Sequence, residues 1–159
     1  MYRRILVSVD GSDASDKALV AATEMARESG GRATLRLVHV LDEQSFYTGY
    51  DPYGAQSGEL IKIMQESGEK VLVEGLAIAQ SAGVSADTLL IDRLGERLGE
   101  AVASQARKWK ADLIVVGTHG RRRVARMFLG SGAEAIIRLA PVPVLVVRSP
   151  EAQAEAQTG

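Results

Sequence analysis

The chain has 159 residues, 46% of them hydrophobic and 25% charged, with a net charge of −1 and no cysteine. That is the length of one domain, able to bury about 70% of its unfolded surface, and the composition argues against disorder. It excludes disulfides, thiol nucleophiles and cysteine-held metal, a three-histidine metal site (only His39 and His119 are present) and a broad basic face for nucleic acid.

No apolar run approaches the ~20 residues of a membrane span. Arg3-Arg4 precedes an apolar stretch, Ile5 to Val9, that is too short for an export signal. With no cysteine either, the cytoplasm is the expected compartment.

Ile5 to Val9 is apolar and β-branched and reads as a buried first strand. Ser12 or Asp13 can cap a helix running to about Glu28, which Gly30-Gly31 stops. Its apolar face is Ala18, Ala21, Ala22, Met25 and Ala26. Thr34 to Leu41 predicts a second strand, with Arg36 and His39 pointing to partners or to an edge. Asp42 to Gly58 lacks periodicity and carries Tyr47, Tyr50 and Tyr53. It is expected to be a long loop, acting as a flap or partner surface. Glu59 to Ser81 predicts a helix with Leu60, Ile63, Met64, Val71, Leu72 and Leu76 on its buried side. A third strand is expected from Val84 to Leu90 or Ile91. Leu94, Leu98, Ala101, Val102, Gln105 and Trp109 then step along a third helix, with Trp109 as a core anchor.

Asp112 to Val116 predicts a fourth strand ending at Gly117, Ser131 to Leu139 a fourth helix, and Val142 to Val147 a fifth strand. A polar tail follows from Ser149. Strand and helix alternate, so the fold class is α/β, a parallel sheet with helices on both faces. Right-handed crossovers leave two five-stranded orders open, 2-1-3-4-5 and 3-2-1-4-5.

In such sheets ligands sit beyond the carboxyl ends of strands, where the winding direction reverses. In the order 3-2-1-4-5 that point falls between strands 1 and 4, at Asp10-Gly11-Ser12 and Gly117-Thr118-His119-Gly120. Gly117 and Gly120 permit a tight turn and close approach of a ligand. Gly130-Ser131-Gly132 opens a helix, whose free N–H groups and positive dipole end suit an anion. Ser131 can cap that helix or donate to a phosphate. Arg121, Arg122, Arg123 and Arg126 lie between the two glycine clusters and suit a polyanion. The alternative is a solvated arginine-rich loop with a serine cap.

There is no Walker A lysine motif. Gly130-x-Gly132-x-x-Ala135 fits a dinucleotide fingerprint in letters only, because it does not directly follow a strand. His119 could serve as a base or a phosphate ligand, and Asp10 fits ribose or metal binding better than proton transfer. No paired carboxylates or triad occur, so no catalytic residue is assigned.

Gly117-x-x-Gly120, nine residues, then Gly130-Ser131 resembles the ATP-binding signature G-x-x-G-x9-G-[ST] of the universal stress protein family. Tyr2 to Ser12 resembles that family's first strand and acidic turn, Val38-His39-Val40 its second strand end, and Pro141 to Arg148 its last strand. The resemblance implies one Rossmann-like nucleotide-binding domain, 1–148, with the strand order 3-2-1-4-5 and a polar tail, 149–159. It implies binding roles for Asp10, Val40, Gly117, Gly120, Gly130 and Ser131; with His119, Arg121, Gly132 and Ala133 they make up the expected binding set. In that set Asp10 meets ribose or metal, and the Val40 backbone meets adenine. Gly117, Gly120, Gly130 and Ser131 hold ribose and phosphates. ATP, ADP or AMP is the implied cofactor, with Mg²⁺ or Mn²⁺ accompanying the triphosphate. Gly132 departs from a pattern in which many members carry valine.

The expected function is therefore an adenine-nucleotide-binding stress-response regulator or sensor. The competing classes are a slow ATPase or phosphotransfer enzyme, and a dimeric interaction module with a vestigial site. The apolar last strand lies at a sheet edge in that order, so a homodimer through Val142 to Val147 is expected. Neither nucleic acid nor membrane is an expected partner.

Overall fold

A computed structural model describes residues 1–41, 57–93, 95–118 and 129–149. Nine elements alternate along it: β1 (Arg4–Ser8), α1 (Asp13–Glu28), β2 (Thr34–Val40), α2 (Ser57–Ser81), β3 (Ser85–Ile91), α3 (Leu98–Trp109), β4 (Leu113–Gly117), α4 (Ser131–Leu139) and β5 (Val144–Val147). The five strands form one sheet in the order β3-β2-β1-β4-β5, every neighbouring pair parallel. The pattern of elements left two orders open; this is the one that the family resemblance implied.

The central strands carry continuous apolar runs because both faces are covered. Ile5, Val7, Leu35 and Leu37 face one layer, packed by Ala18, Leu19 and Ala22 of α1 and by Leu72 and Ala79 of α2. Leu6, Val38, Ile114 and Val116 face the other, packed by Ala101, Val102 and Ala106 of α3 and by Ala133 and Ile136 of α4. Fully burying each large aliphatic side chain stabilises the fold by roughly 1.5–3 kcal/mol.

Three local expectations change. Ile63 is 60% exposed rather than buried. The inward stripe of α2 is Met64, Gly68, Leu72, Gly75 and Ala79. Its two glycines let the helix approach closely: a Cβ on Gly75 would lie 3.1 Å from Leu37, and one on Gly68 would lie 2.6 Å from the His39 ring. The sequence pattern started α3 at Leu94, but the helix begins at Leu98, after a turn in which Gly95 takes φ +82°; Leu94 lies outside the described residues. β5 begins at Val144 rather than Val142. Pro143 has no N–H to give the ladder, although its carbonyl accepts from Ile114 N–H at 3.0 Å.

Arg36 and His39 do not point out from an edge. Arg36 makes a two-pronged ion pair with Asp87 of β3 at 2.6 and 2.7 Å. Its guanidinium lies 4.8 Å from the centre of the Trp109 ring, with Arg4 at 5.9 Å from the same centre. Trp109 thus anchors the layer as expected, but half-buried and held by cations as well as by apolar contact. Arg4 also donates through Nη1 to Trp109 O at 2.8 Å. Asp112, just before β4, accepts the backbone N–H groups of Arg3 and Arg4 at 2.8 and 2.9 Å. This carboxylate ties the start of β1 to β4, so Asp112→Ala should destabilise the protein by about 1–3 kcal/mol. Urea unfolding measures it as a lowered midpoint at unchanged slope.

Candidate functional site

The turn after β1 is built by its own side chains. The Asp10 carboxylate accepts Ser12 N–H at 2.8 Å, and Gly11 takes φ +79°. Ser12 caps α1, its hydroxyl accepting Ser15 N–H at 3.2 Å, while Ser15 Oγ accepts Asp10 N–H at 3.0 Å. These bonds fix the half-buried Asp10 over the carboxyl end of β1.

Beside it, β2 ends with its backbone suitably turned. Val38 C=O accepts Val9 N–H at 2.9 Å. Backbone alternation therefore directs the N–H and C=O of Val40 to that same side, toward the Asp10 turn. Leu41 donates the other way, to Ile91 O at 2.9 Å. His39 is buried under this corner, its Nδ1 2.8 Å from Val9 O. A carbonyl only accepts, so Nδ1 carries the proton.

Across the β1–β4 seam, Gly117 closes β4. Its missing side chain serves packing rather than a turn: a Cβ there would lie 2.6 Å from the Ala14 carbonyl carbon and 2.7 Å from its oxygen. This brings the first turn of α1 onto the end of β4. Gly132 is likewise filled from within the protein, since a Cβ there would meet Leu98 Cδ2 at 2.7 Å.

Ser131 is not the cap of α4. Gly130 occupies that position, with no side-chain hydrogen bond to the helix, and Ser131 is the first helical residue. The first helical bond runs from Glu134 N–H to Gly130 O at 3.0 Å. The N–H groups of Ser131, Gly132 and Ala133 therefore have no acceptor within the helix, and the positive end of its dipole opens there. Thr118 binds this end to the sheet: its carbonyl accepts Gly130 N–H at 2.6 Å, and its own N–H donates to Val147 O at 2.9 Å.

The structure thus assembles Asp10, Val40, Gly117, Gly130, Ser131, Gly132 and Ala133 around the carboxyl ends of β2, β1 and β4. His119, Gly120 and Arg121 lie outside the described residues, as do Arg122, Arg123, Arg126, the three tyrosines of the 42–56 segment and the tail after Ser149. Among the described residues no group of three or more His, Cys, Asp or Glu could hold a metal. Asp10 is one carboxylate beside an anion-competent helix end. That suits a Mg²⁺-type ion, which binds through one or two carboxylates together with substrate phosphates.

What the glycine spacing did not reveal was Thr118, a residue 1% exposed whose hydroxyl has no hydrogen-bond partner among the described residues. Its signal was its place between the glycines at a strand end.

Fold and site define a doubly wound α/β protein with a helix N-terminus at its switch point. A sequence model of the universal stress protein family matches residues 1–148. A universal stress protein of Thermus aquaticus is 37% identical over 148 residues, covering 93% of this chain and 100% of that one. The crystal structure of a universal stress family protein from Burkholderia pseudomallei superposes with a TM-score of 0.74 at 32% identity, covering 93% of this chain and 97% of the other. Another universal stress protein, crystallised in complex with cAMP, gives 0.63 at 26% identity, covering 92% and 97%. The chain belongs to the universal stress protein family. Among its described residues no helix is long and apolar enough to cross a membrane.

The acidic start of α1 has a measurable consequence. Burial first, then the charges of Asp13, Asp10 and Glu74, raise the Asp16 pKa above its ordinary 3.8, with Lys17 opposing. A carboxyl raised in the folded state favours folding when protonated, and this contribution fades as pH rises through the folded pKa. Asp16→Asn should therefore stabilise the protein slightly at pH 7, by less than about 1 kcal/mol for so exposed a group, and raise its melting temperature. The advantage should close as pH falls below 3.8. Parallel melts of both proteins across pH 3–7 would check it.

Proposed function

We propose that this chain binds an adenine nucleotide, ATP with ADP or AMP as alternatives, in the crevice beyond the carboxyl ends of β1 and β4, and acts as a stress-response regulator or sensor. The observation that carries the reading is the N-terminus of α4, where Gly130 at the cap position brings no side-chain hydrogen bond and which is tied to the carboxyl end of β4, the neighbour of β1. Its N–H groups match phosphate oxygens. The backbone of Val40, turned to the side of the Asp10 turn, matches an adenine edge, and Asp10 a ribose hydroxyl or a Mg²⁺ or Mn²⁺ ion shared with the phosphates. The cAMP complex of the related protein supports the ligand class. His119, Gly120 and Arg121 complete the phosphate side in this reading.

Titration calorimetry with Mg-ATP should show saturable binding, and GTP should compete poorly because the base contact is made by fixed backbone groups. Absence of heat and of thermal shift at millimolar nucleotide would reject the reading, since even a Kd of 1 mM is worth about 4 kcal/mol. Product accumulating over hours would move it to the slow ATPase or phosphotransfer class.

The same reading includes a homodimer built on β5. Among the described residues this strand pairs with β4 alone, and Val144 to Val147 are all half-buried, with Ile137 43% and Leu139 39% exposed on α4. An apolar edge of this kind invites pairing with a second copy. Sedimentation of the wild type at tens of micromolar should give a dimer, and Val144→Lys with Val146→Lys a monomer that keeps its circular dichroism. A monomeric wild type would reject the dimer, and a dimer that survives both lysines would place the interface elsewhere.

A further inference from the structure

We propose that Thr118 is a ligand-binding residue whose hydroxyl donates a hydrogen bond to a phosphate oxygen seated at the N-terminus of α4. The ligand class rests on the nucleotide reading above; the residue and its role do not.

Of the other buried polar residues, Ser15, Thr23, Ser29 and His39 have their partners. Thr23 donates to Leu19 O at 2.8 Å and Ser29 to Ala26 O at 2.6 Å, Ser15 accepts Asp10 N–H at 3.0 Å, and His39 donates to Val9 O at 2.8 Å. Thr118 Oγ1 is the exception among the described residues. Buried polar atoms are almost always paired, so an orphan needs a cause.

Orientation supplies one. Successive side chains of a strand point to opposite faces. The Cβ position of Gly117 faces Ala14 of α1. Thr118 therefore turns to the opposite layer, the one made by α3 and α4. Its carbonyl already holds Gly130 N–H, which places the residue under the first turn of α4. That helix has nine residues, and Gly130 at its cap position brings no side-chain hydrogen bond, so its leading N–H groups stay without a helical acceptor next to the buried Thr118. Several donors there, at the positive end of a helix dipole, select a ligand atom that only accepts and carries negative charge. A phosphate oxygen meets both conditions, and a hydrogen bond to a charged oxygen is stronger than one to a neutral group. Valine has nearly the same shape as threonine and would leave nothing unpaired. In the free protein the hydroxyl is a net cost, recovered when an anion binds.

The test compares wild type, Thr118→Val and Thr118→Ser by calorimetry with Mg-ATP, adenosine and sodium tripolyphosphate, and by thermal melting without ligand. Thr118→Val should bind ATP and tripolyphosphate about tenfold or more weakly, and adenosine as well as wild type does. Its ligand-free melting temperature should rise by about 2–4 °C. Thr118→Ser, which keeps the hydroxyl, should bind ATP close to wild type. Unchanged ATP affinity in Thr118→Val overturns the inference. So does an equal loss for adenosine and ATP, or a lowered melting temperature, because either would mean that the hydroxyl serves the fold. Wild type that binds tripolyphosphate in a Thr118-dependent way but not ATP would refute the nucleotide reading and leave this one standing. Wild type that binds neither refutes both.

Discussion

The approach of α1 to β4 at Gly117 governs the geometry of the crevice. An ordinary side chain there would lie 2.6 Å from the Ala14 backbone, a separation that only displacement of the helix could relieve. With glycine, the first turn of α1 rests on the end of β4 although α1 belongs to β1. The helix thereby holds the Asp10 turn on one side of the seam and leaves β4 free to continue through Thr118 to α4 on the other. β4 in turn pairs with β5, whose Val147 carbonyl takes Thr118 N–H. One missing methyl group thus sets how closely the acidic turn and the helix N-terminus face each other.

Most of the architecture was legible in the sequence because its signals are local. The apolar runs at Ile5 to Val9 and Thr34 to Leu41 are long enough, and the Ser12 cap clear enough, to place β1, α1 and β2 within a residue or so. Topology was not local. Periodicity admitted two strand orders, and only the family resemblance at the chain ends and glycine spacing chose between them. Ile63 shows where helical periodicity fails. Hydrophobicity suggests that an isoleucine faces the core, but the contact stripe of α2 is set by Gly68 and Gly75, where the helix comes nearest the sheet. Small residues carry little hydrophobic signal and decide the rotation all the same.

The candidate site was legible in position and only partly in role. Gly117 stands where the signature has glycine and Gly132 one residue past its end, yet in the structure a Cβ on either would press on a neighbouring protein group, Ala14 or Leu98. Spacing alone cannot separate a glycine that admits a ligand from one that admits a helix, because both need the same absent Cβ. Ser131 is a similar case: its serine chemistry suggested a cap, but the cap position falls one residue earlier, at Gly130, and the serine is the first helical residue.

The two ends of the sheet are built on opposite principles. At the amino ends of the strands the charges are matched: Arg36 with Asp87, Arg4 with the Trp109 carbonyl and ring, Asp112 with two backbone N–H groups. Matched groups of this kind join strands and helices and gain nothing from a further partner. At the carboxyl ends the pattern reverses. Among the described residues, a helix begins at a glycine that offers no side-chain cap, and a hydroxyl is buried without a partner beneath it. Each lowers the stability of the isolated protein, and natural sequences tolerate such departures mainly where function needs them. Both would be relieved by the same negatively charged acceptor, placed where a doubly wound sheet binds ligands for reasons of topology alone. Topology and the distribution of unmatched polar groups are independent arguments, and they converge on the end of β4.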